Sequence, residues 1–129
     1  MDTHAVLWWA AGSPLLSKRA RSAIKSASRL YVSPLSCWEV ARLVNRGRVR
    51  LADDPSLWTR ALFEQERVEP ASTTPEAAVA AAGLPETFPG DPIDRLLYAT
   101  AADLRLPLIT RDRAIHRLAA QRRDIRTIW

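Results

Sequence analysis

Three carboxylates in the C-terminal third of the chain are spaced so that they could act together. Asp91 and Asp94 lie in the run Gly90-Asp91-Pro92-Ile93-Asp94-Arg95-Leu96-Leu97-Tyr98-Ala99-Thr100-Ala101, and Asp112 follows the short apolar run Pro107-Leu108-Ile109-Thr110. Carboxylates gathered in one place repel, and a hard divalent cation with oxygen ligands relieves that repulsion. The first run reads as a helix start. Asp91 suits the N-cap, Pro92 the first helical position, and Asp94 falls where a carboxylate can reach back to a free N–H. Ile93, Leu96, Leu97, Thr100, Ala101 and Leu104 then share an apolar stripe, with Asp94 on its rim. Leu108 and Ile109 read as a strand, which puts Asp112 beyond a strand's C-terminal end. In open α/β sheets sites form beyond those ends, beside helix N-termini.

A plainer reading competes, because Asp91, Asp94 and Asp112 each sit where a capping or dipole-favoured carboxylate is expected anyway. Other chemistries have less support. Cys37 is the only cysteine, and with Trp38 and Val40 beside it and no histidine close in sequence it reads as a core thiol. His4 and His116 are the two histidines; as an acid and base pair neither has a supporting motif. No Ser-His-Asp or Cys-His set and no glycine-rich phosphate loop is visible.

The elements that must position these acids alternate between helix and strand. A short helix covers Ala5 to Gly12 after Asp2-Thr3-His4, with Trp8 and Trp9 on different faces, one packing inward and the other open to a partner. A basic helix runs from about Ser17 to Ser28, and Leu30 to Ser33 is a strand. Ser36-Cys37-Trp38-Glu39 then forms a capping box opening a helix through Arg46. On it Trp38, Val40, Ala41, Leu43 and Val44 face one way and Glu39, Arg42 and Arg46 the other, so Glu39 as a cap paired with Arg42 is a sufficient structural account. Asp54 or Pro55 starts a helix toward Arg67, Val68 to Ser72 is an edge strand because of Pro70, and Thr74-Pro75-Glu76 opens an alanine-rich helix to Gly83. Leu84 to Pro89 is a proline-rich loop. A last helix covers Arg113 to Gln121, and Arg126 to Trp129 is the final strand.

With 129 residues and 47% hydrophobic composition, the chain has the size of a single domain. Its net charge is +5, and Lys18 and Lys25 are its only lysines, so the positive charge is carried by arginine. The planar guanidinium fork suits phosphate and carboxylate, so a polyanionic partner and a merely basic surface both fit. The absence of a disulfide framework fits a reducing, cytoplasmic setting. Ala5 to Ala11 is too short and lacks the flanks of a signal or transmembrane segment, so no membrane is expected.

Taken in order, Asp2-Thr3-His4, Trp8-Trp9, Val32-Ser33 leading to Trp38-Glu39, Gly90-Asp91-Pro92-Ile93-Asp94-Arg95-Leu96-Leu97, and Thr110-Arg111-Asp112 closely resemble the PIN-domain ribonuclease toxins of VapC type. The resemblance runs nearly end to end and includes the closing Ile128-Trp129. It implies an α/β fold, a three-layer α/β/α sandwich with a mostly parallel central sheet, formed by residues 1–129 as one domain. It also implies the toxin of a type II toxin–antitoxin pair, an endoribonuclease hydrolysing RNA with Mg²⁺ or Mn²⁺. The family's acidic set falls on Asp2, Glu39, Asp94 and Asp112, with Asp91 as an accessory or capping acid and Thr110 and Thr3 supporting the carboxylates. Further implied are a cognate antitoxin whose C-terminal segment lies over the site, and a homodimer. Arg42, Arg46 and Arg95 are candidate contacts for RNA or antitoxin. The family's motif follows a short apolar strand, whereas only Met1 precedes Asp2 here, so the first strand is expected to be truncated.

A catalytically silent PIN-like module that sequesters RNA or a protein remains the alternative. A basic DNA-binding domain in which every acid is a cap is a third reading, without a helix-turn-helix signature to support it.

Overall fold

The structure, a computed structural model, describes residues 1–88 and 91–129. Pro89 and Gly90, the end of the proline-rich loop and the first residue of the Asp91–Asp94 run, lie outside the described residues. The elements in chain order are α1 (Thr3–Ala10), α2 (Lys18–Ser26), β1 (Leu30–Val32), α3 (Pro34–Asn45), α4 (Pro55–Phe63), β2 (Val68–Pro70), α5 (Pro75–Ala82), α6 (Pro92–Asp103), β3 (Leu108–Ile109), α7 (Arg113–Arg122) and β4 (Thr127–Ile128).

Helices α3, α4, α5 and α6 start on the same device, a polar cap followed by proline: Ser33-Pro34, Asp54-Pro55, Thr74-Pro75 and Asp91-Pro92. The cap oxygen accepts an N–H of the first turn, and proline at the first position gives up only a donor that would have had no partner. Ser17 caps α2 in the same way without the proline.

The strands form two parallel ladders. Leu30 of β1 stands opposite Val68 of β2, and Ile109 of β3 opposite Ile128 of β4. Pro70 closes β2 at a sheet edge, where a missing N–H is tolerated. The single central sheet expected from the sequence is therefore divided, and the link between its halves is Met1-Asp2. The Met1 ammonium donates to the Tyr31 carbonyl at 3.1 Å and the Asp2 N–H to the Ile109 carbonyl at 2.9 Å. Successive N–H groups reaching opposite neighbours is how a strand sits between two parallel partners. Behind this two-residue tip an apolar groove of about 310 Å³ runs between the ladders, walled by residues such as Ala23, Ala27, Ala71, Leu97 and Ala101.

Helices cover both faces. Leu30, Val32, Ile109 and Ile128 pack with Val6, Ile24 and Leu62 of α1, α2 and α4 in one core, while Leu108 packs with Tyr98, Ile115 and Leu118 of α6 and α7 in another. Neighbouring residues of β3 thus serve opposite cores, as the alternation of a strand requires. Helices α5 and α6 meet through Ala77, Ala81 and Ala99, side chains small enough for close approach. The layers are those of an α/β/α sandwich.

Three expectations need correction. Helix α1 begins at Thr3, with Asp2 as its N-cap, two residues ahead of the start read from the apolar run. Helix α3 begins at Pro34, because Ser33 is the cap and its hydroxyl accepts from Leu35 N–H at 3.2 Å. Ser36 is therefore inside the helix, buried and without a hydrogen-bond partner among the described residues, and the stripe counted from it fails: Trp38 is 53% exposed while Val40 is fully buried. Trp8 and Trp9 are both half-buried against the first core.

Candidate active site

Three helix starts converge on one cleft. Asp2 caps α1 with Oδ1 accepting Ala5 N–H at 2.7 Å, Asp91 caps α6 with Oδ1 accepting Ile93 N–H at 2.8 Å, and Asp112 caps α7 with Oδ1 accepting Ala114 and Ile115 N–H at 2.6 and 3.1 Å. Glu39 comes from the middle of α3, and Asp94 from the first turn of α6. The cleft, about 490 Å³, is lined by Asp2, Thr3, His4, Trp8, Glu39, Asp91, Asp94, Arg111 and Asp112. The four acids named from the sequence, together with Asp91 and Thr3, therefore share one space.

Supporting hydrogen bonds fix two of these acids. Thr3, only 2% exposed, donates from Oγ1 to Glu39 Oε2 at 2.5 Å. Thr110 is fully buried behind the cleft, and its Oγ1 accepts the Asp112 N–H at 3.0 Å. His116 stands behind Thr110: Nε2 donates to the Thr110 carbonyl at 3.0 Å while Nδ1 meets Thr127 Oγ1 at 2.6 Å.

The capping account holds for Asp2, Asp91 and Asp112 and fails for the other two. Glu39 is well inside α3, and no ion pair joins it to Arg42 among the described residues. Asp94 takes no hydrogen bond among the described residues, and its carboxyl is pushed up to about 7 by burial first and then by Asp91, Glu39, Asp112 and Asp2. The molecule thus holds a carboxyl whose charge its own neighbours oppose, in a cleft faced by three helix N-termini.

The donor set fits a hard divalent cation in kind. It is all oxygen, and each capping aspartate anchors itself through Oδ1, leaving Oδ2 without a hydrogen bond to the described residues. No three side chains of His, Cys, Asp or Glu type among the described residues are drawn close enough to enclose an ion. Enclosing a cation would therefore take side-chain rotation.

The arginines singled out in the sequence lie elsewhere. The Arg42 guanidinium covers Trp38 at 5.1 Å, and Arg46 is the exposed C-cap of α3. Arg95 donates to the carbonyls of Ala81, Leu84 and Pro85 and covers Phe88 at 5.8 Å, so it ties α6 to the end of α5. The cation that does line the cleft is Arg111, whose guanidinium lies 5.8 Å from the Trp8 ring. Its signal was its place in Thr110-Arg111-Asp112. Cys37 is half-buried with its thiol pushed up by burial, as an inert packing residue should be.

Two comparisons bear on this cleft. The PIN domain family matches residues 1–121. Ribonuclease VapC22 of Mycobacterium tuberculosis (strain ATCC 25618 / H37Rv) is 40% identical over 115 residues, which span 89% of this chain and 87% of the relative. With acids from four separate helices meeting at one cleft of an α/β/α sandwich, and with these two matches, the chain belongs to the PIN-domain family, in its VapC-type branch.

Proposed function

We propose that the chain is the toxin of a type II toxin–antitoxin pair, a divalent-metal-dependent endoribonuclease that hydrolyses RNA phosphodiester bonds. The observation that carries this reading is the convergence of Asp2, Glu39, Asp91, Asp94 and Asp112 on one cleft, in a family whose relative VapC22 is named a ribonuclease. Asp2, Glu39, Asp94 and Asp112 are the residues to hold Mg²⁺ or Mn²⁺, with Asp91 at the rim. A bound ion supplies positive charge at the phosphate and acidifies the attacking water.

The chain's own contribution is placement. Thr3 holds Glu39 toward the cleft, and Thr110 holds the Asp112 backbone while the α7 N–H groups grip Oδ1. Asp94 accepts no hydrogen bond from the described residues, so a cation beside it would favour its charged form. Since the attacking group would be water and not the RNA 2′-hydroxyl, the P–O3′ bond breaks and the products should carry 5′-phosphate and 3′-hydroxyl ends. The test is cleavage of RNA by purified protein with chelator, then with Mg²⁺ or Mn²⁺ restored. Cleavage unaffected by chelator, or ends bearing 2′,3′-cyclic phosphate, would overturn the reading.

The same reading includes an antitoxin whose C-terminal segment lies over the cleft, a homodimer, and a cytoplasmic setting. Arg42 and Arg46, exposed toward the C-terminal end of α3 and outside the cleft lining, suit contacts with the flanking RNA phosphates or an acidic antitoxin segment. No helix among the described residues is long and apolar enough to cross a membrane.

A further inference from the structure

Beside the five carboxylates and Thr3, the cleft is lined by His4, Trp8 and Arg111. His4 and Trp8 are four residues apart on α1 and so stand one above the other on one face, with ring centroids 5.5 Å apart and planes at 43°. Trp8 is fixed from behind by Trp129, whose ring centroid is 5.5 Å away. Arg111 sets its guanidinium 5.8 Å from the Trp8 ring centroid. His4 and Arg111 are exposed, so two flat groups, one of them cationic, adjoin the Trp8 indole at the solvent side of the cleft.

Loaded with a cation, the acidic part of the cleft would hold the scissile phosphate, but it gives no hold on the base beside it. Aromatic rings and a guanidinium plane offer one, since every base has a π-face that stacks on them. Resting on the nuclease reading above, we propose that His4, Trp8 and Arg111 form a seat for one nucleobase next to the scissile phosphate. The short cap that makes Asp2 a first-turn neighbour of His4 sets the seat beside the acids.

The experiment uses the full chain with Mg²⁺ and short single-stranded RNAs, intact or with one abasic position beside the mapped cleavage site. On intact RNA, Trp8→Leu should lower kcat/KM about ten- to a hundredfold. Trp8→Phe should keep most of the activity, and on the matching abasic RNA the wild type and Trp8→Leu should be nearly equal. His4→Ala, at an exposed position harmless to folding, should repeat the pattern with a smaller loss. A second readout is 2-aminopurine placed at the seated base. Its fluorescence should fall on binding to the Asp94→Asn protein and recover when Trp8→Leu is added. Equal losses on intact and abasic RNA, or no fluorescence change, would overturn the seat while leaving the nuclease standing. A wild-type chain that cleaves no RNA in Mg²⁺ would overturn the nuclease reading, and the seat with it.

Discussion

Two cavities meet at Met1 and Asp2, and they differ in nearly every respect. Asp2 lines the acidic cleft, where it, Asp91 and Asp112 are held by helix N–H groups. Met1 lines the apolar groove, whose walls are small side chains and two sheet edges. In the ladders, Leu30 and Val32 turn their backbone groups to β2, and Leu108 and Thr110 turn theirs to β4. Tyr31 and Ile109 therefore turn theirs to the groove, where the Met1 and Asp2 N–H groups meet one carbonyl on each side. The cleft offers carboxylate oxygens that suit a cation; the groove offers strand edges and apolar walls that suit an added strand.

The largest effect should follow from changing Asp94. Asp94→Asn removes a metal donor with almost no change of shape, and several kcal/mol of transition-state stabilisation corresponds to roughly a thousandfold loss of cleavage. Without metal the same substitution should change how stability depends on pH. In the wild type the folded carboxyl titrates near 7, above its unfolded value, so the unfolded chain releases its proton first. Stability contributed by the protonated form is complete below about pH 4 and is lost as pH rises toward 7. The loss should be about 1 to 2 kcal/mol after allowing for solvent screening. Melting curves at pH 5 and 8 in chelator would show it, and Asp94→Asn should flatten the difference. A wild-type rate of cleavage in Asp94→Asn would remove the cleft's claim to be the metal site.

The groove gives the next effect. Four apolar residues added ahead of Met1 are expected to run between β1 and β3 and pair with Tyr31 and Ile109. Burial of four such side chains is worth about 6 to 12 kcal/mol, less about 1 to 2 kcal/mol per residue for ordering the backbone. A gain of a few kcal/mol remains, a rise in Tm of about 10 °C. A Gly-Ser extension of equal length is the control, and equal Tm for the two extensions would show that the groove takes no strand. Since Asp2 is the tip of that strand, tighter seating should also firm its carboxylate.

A smaller effect on the cleft side tests how the acids are aimed. Thr3→Val keeps the buried shape but leaves Glu39 Oε2 without its donor. Partners of metal-binding carboxylates typically matter about ten- to a hundredfold, so both Mg²⁺ affinity, read by calorimetry, and cleavage should fall by that order. If neither moves, Glu39 is held by something other than Thr3.

What was legible in the sequence was local. Asp91-Pro92, Thr74-Pro75 and Asp54-Pro55 announce their helices because cap and proline act within one turn, and the acids could be named because the motifs run nearly end to end. What was not legible depends on distant partners. Arg95 turns from the cleft because the carbonyls of Ala81, Leu84 and Pro85 lie within its reach, which its helical position alone does not reveal. Arg111 reaches the cleft through Trp8, about a hundred residues earlier in the chain. His4 and Trp8 were close enough in sequence to be paired, but a helix start placed at Ala5 left His4 outside the helix.

The smallest effect separates two caps that overlap in Ser33-Pro34-Leu35-Ser36-Cys37-Trp38-Glu39. The sequence points to a capping box on Ser36 and Glu39, the structure has a serine-proline start on Ser33, and only one can be the helix end. Ser33, lining the groove, holds Leu35 N–H, whereas the Ser36 hydroxyl is buried without a partner among the described residues. Removing a cap costs about 1 kcal/mol, and removing a buried hydroxyl that makes no bond is neutral or stabilising by up to about 1 kcal/mol. Ser33→Ala should therefore lower Tm by a few degrees, and Ser36→Ala should hold or raise it. The opposite order would restore the capping box and make Glu39 a helix-end residue. With the order expected here, Glu39 is an interior side chain that Thr3 aims into the cleft, and its carboxylate has no structural duty that competes with a cation.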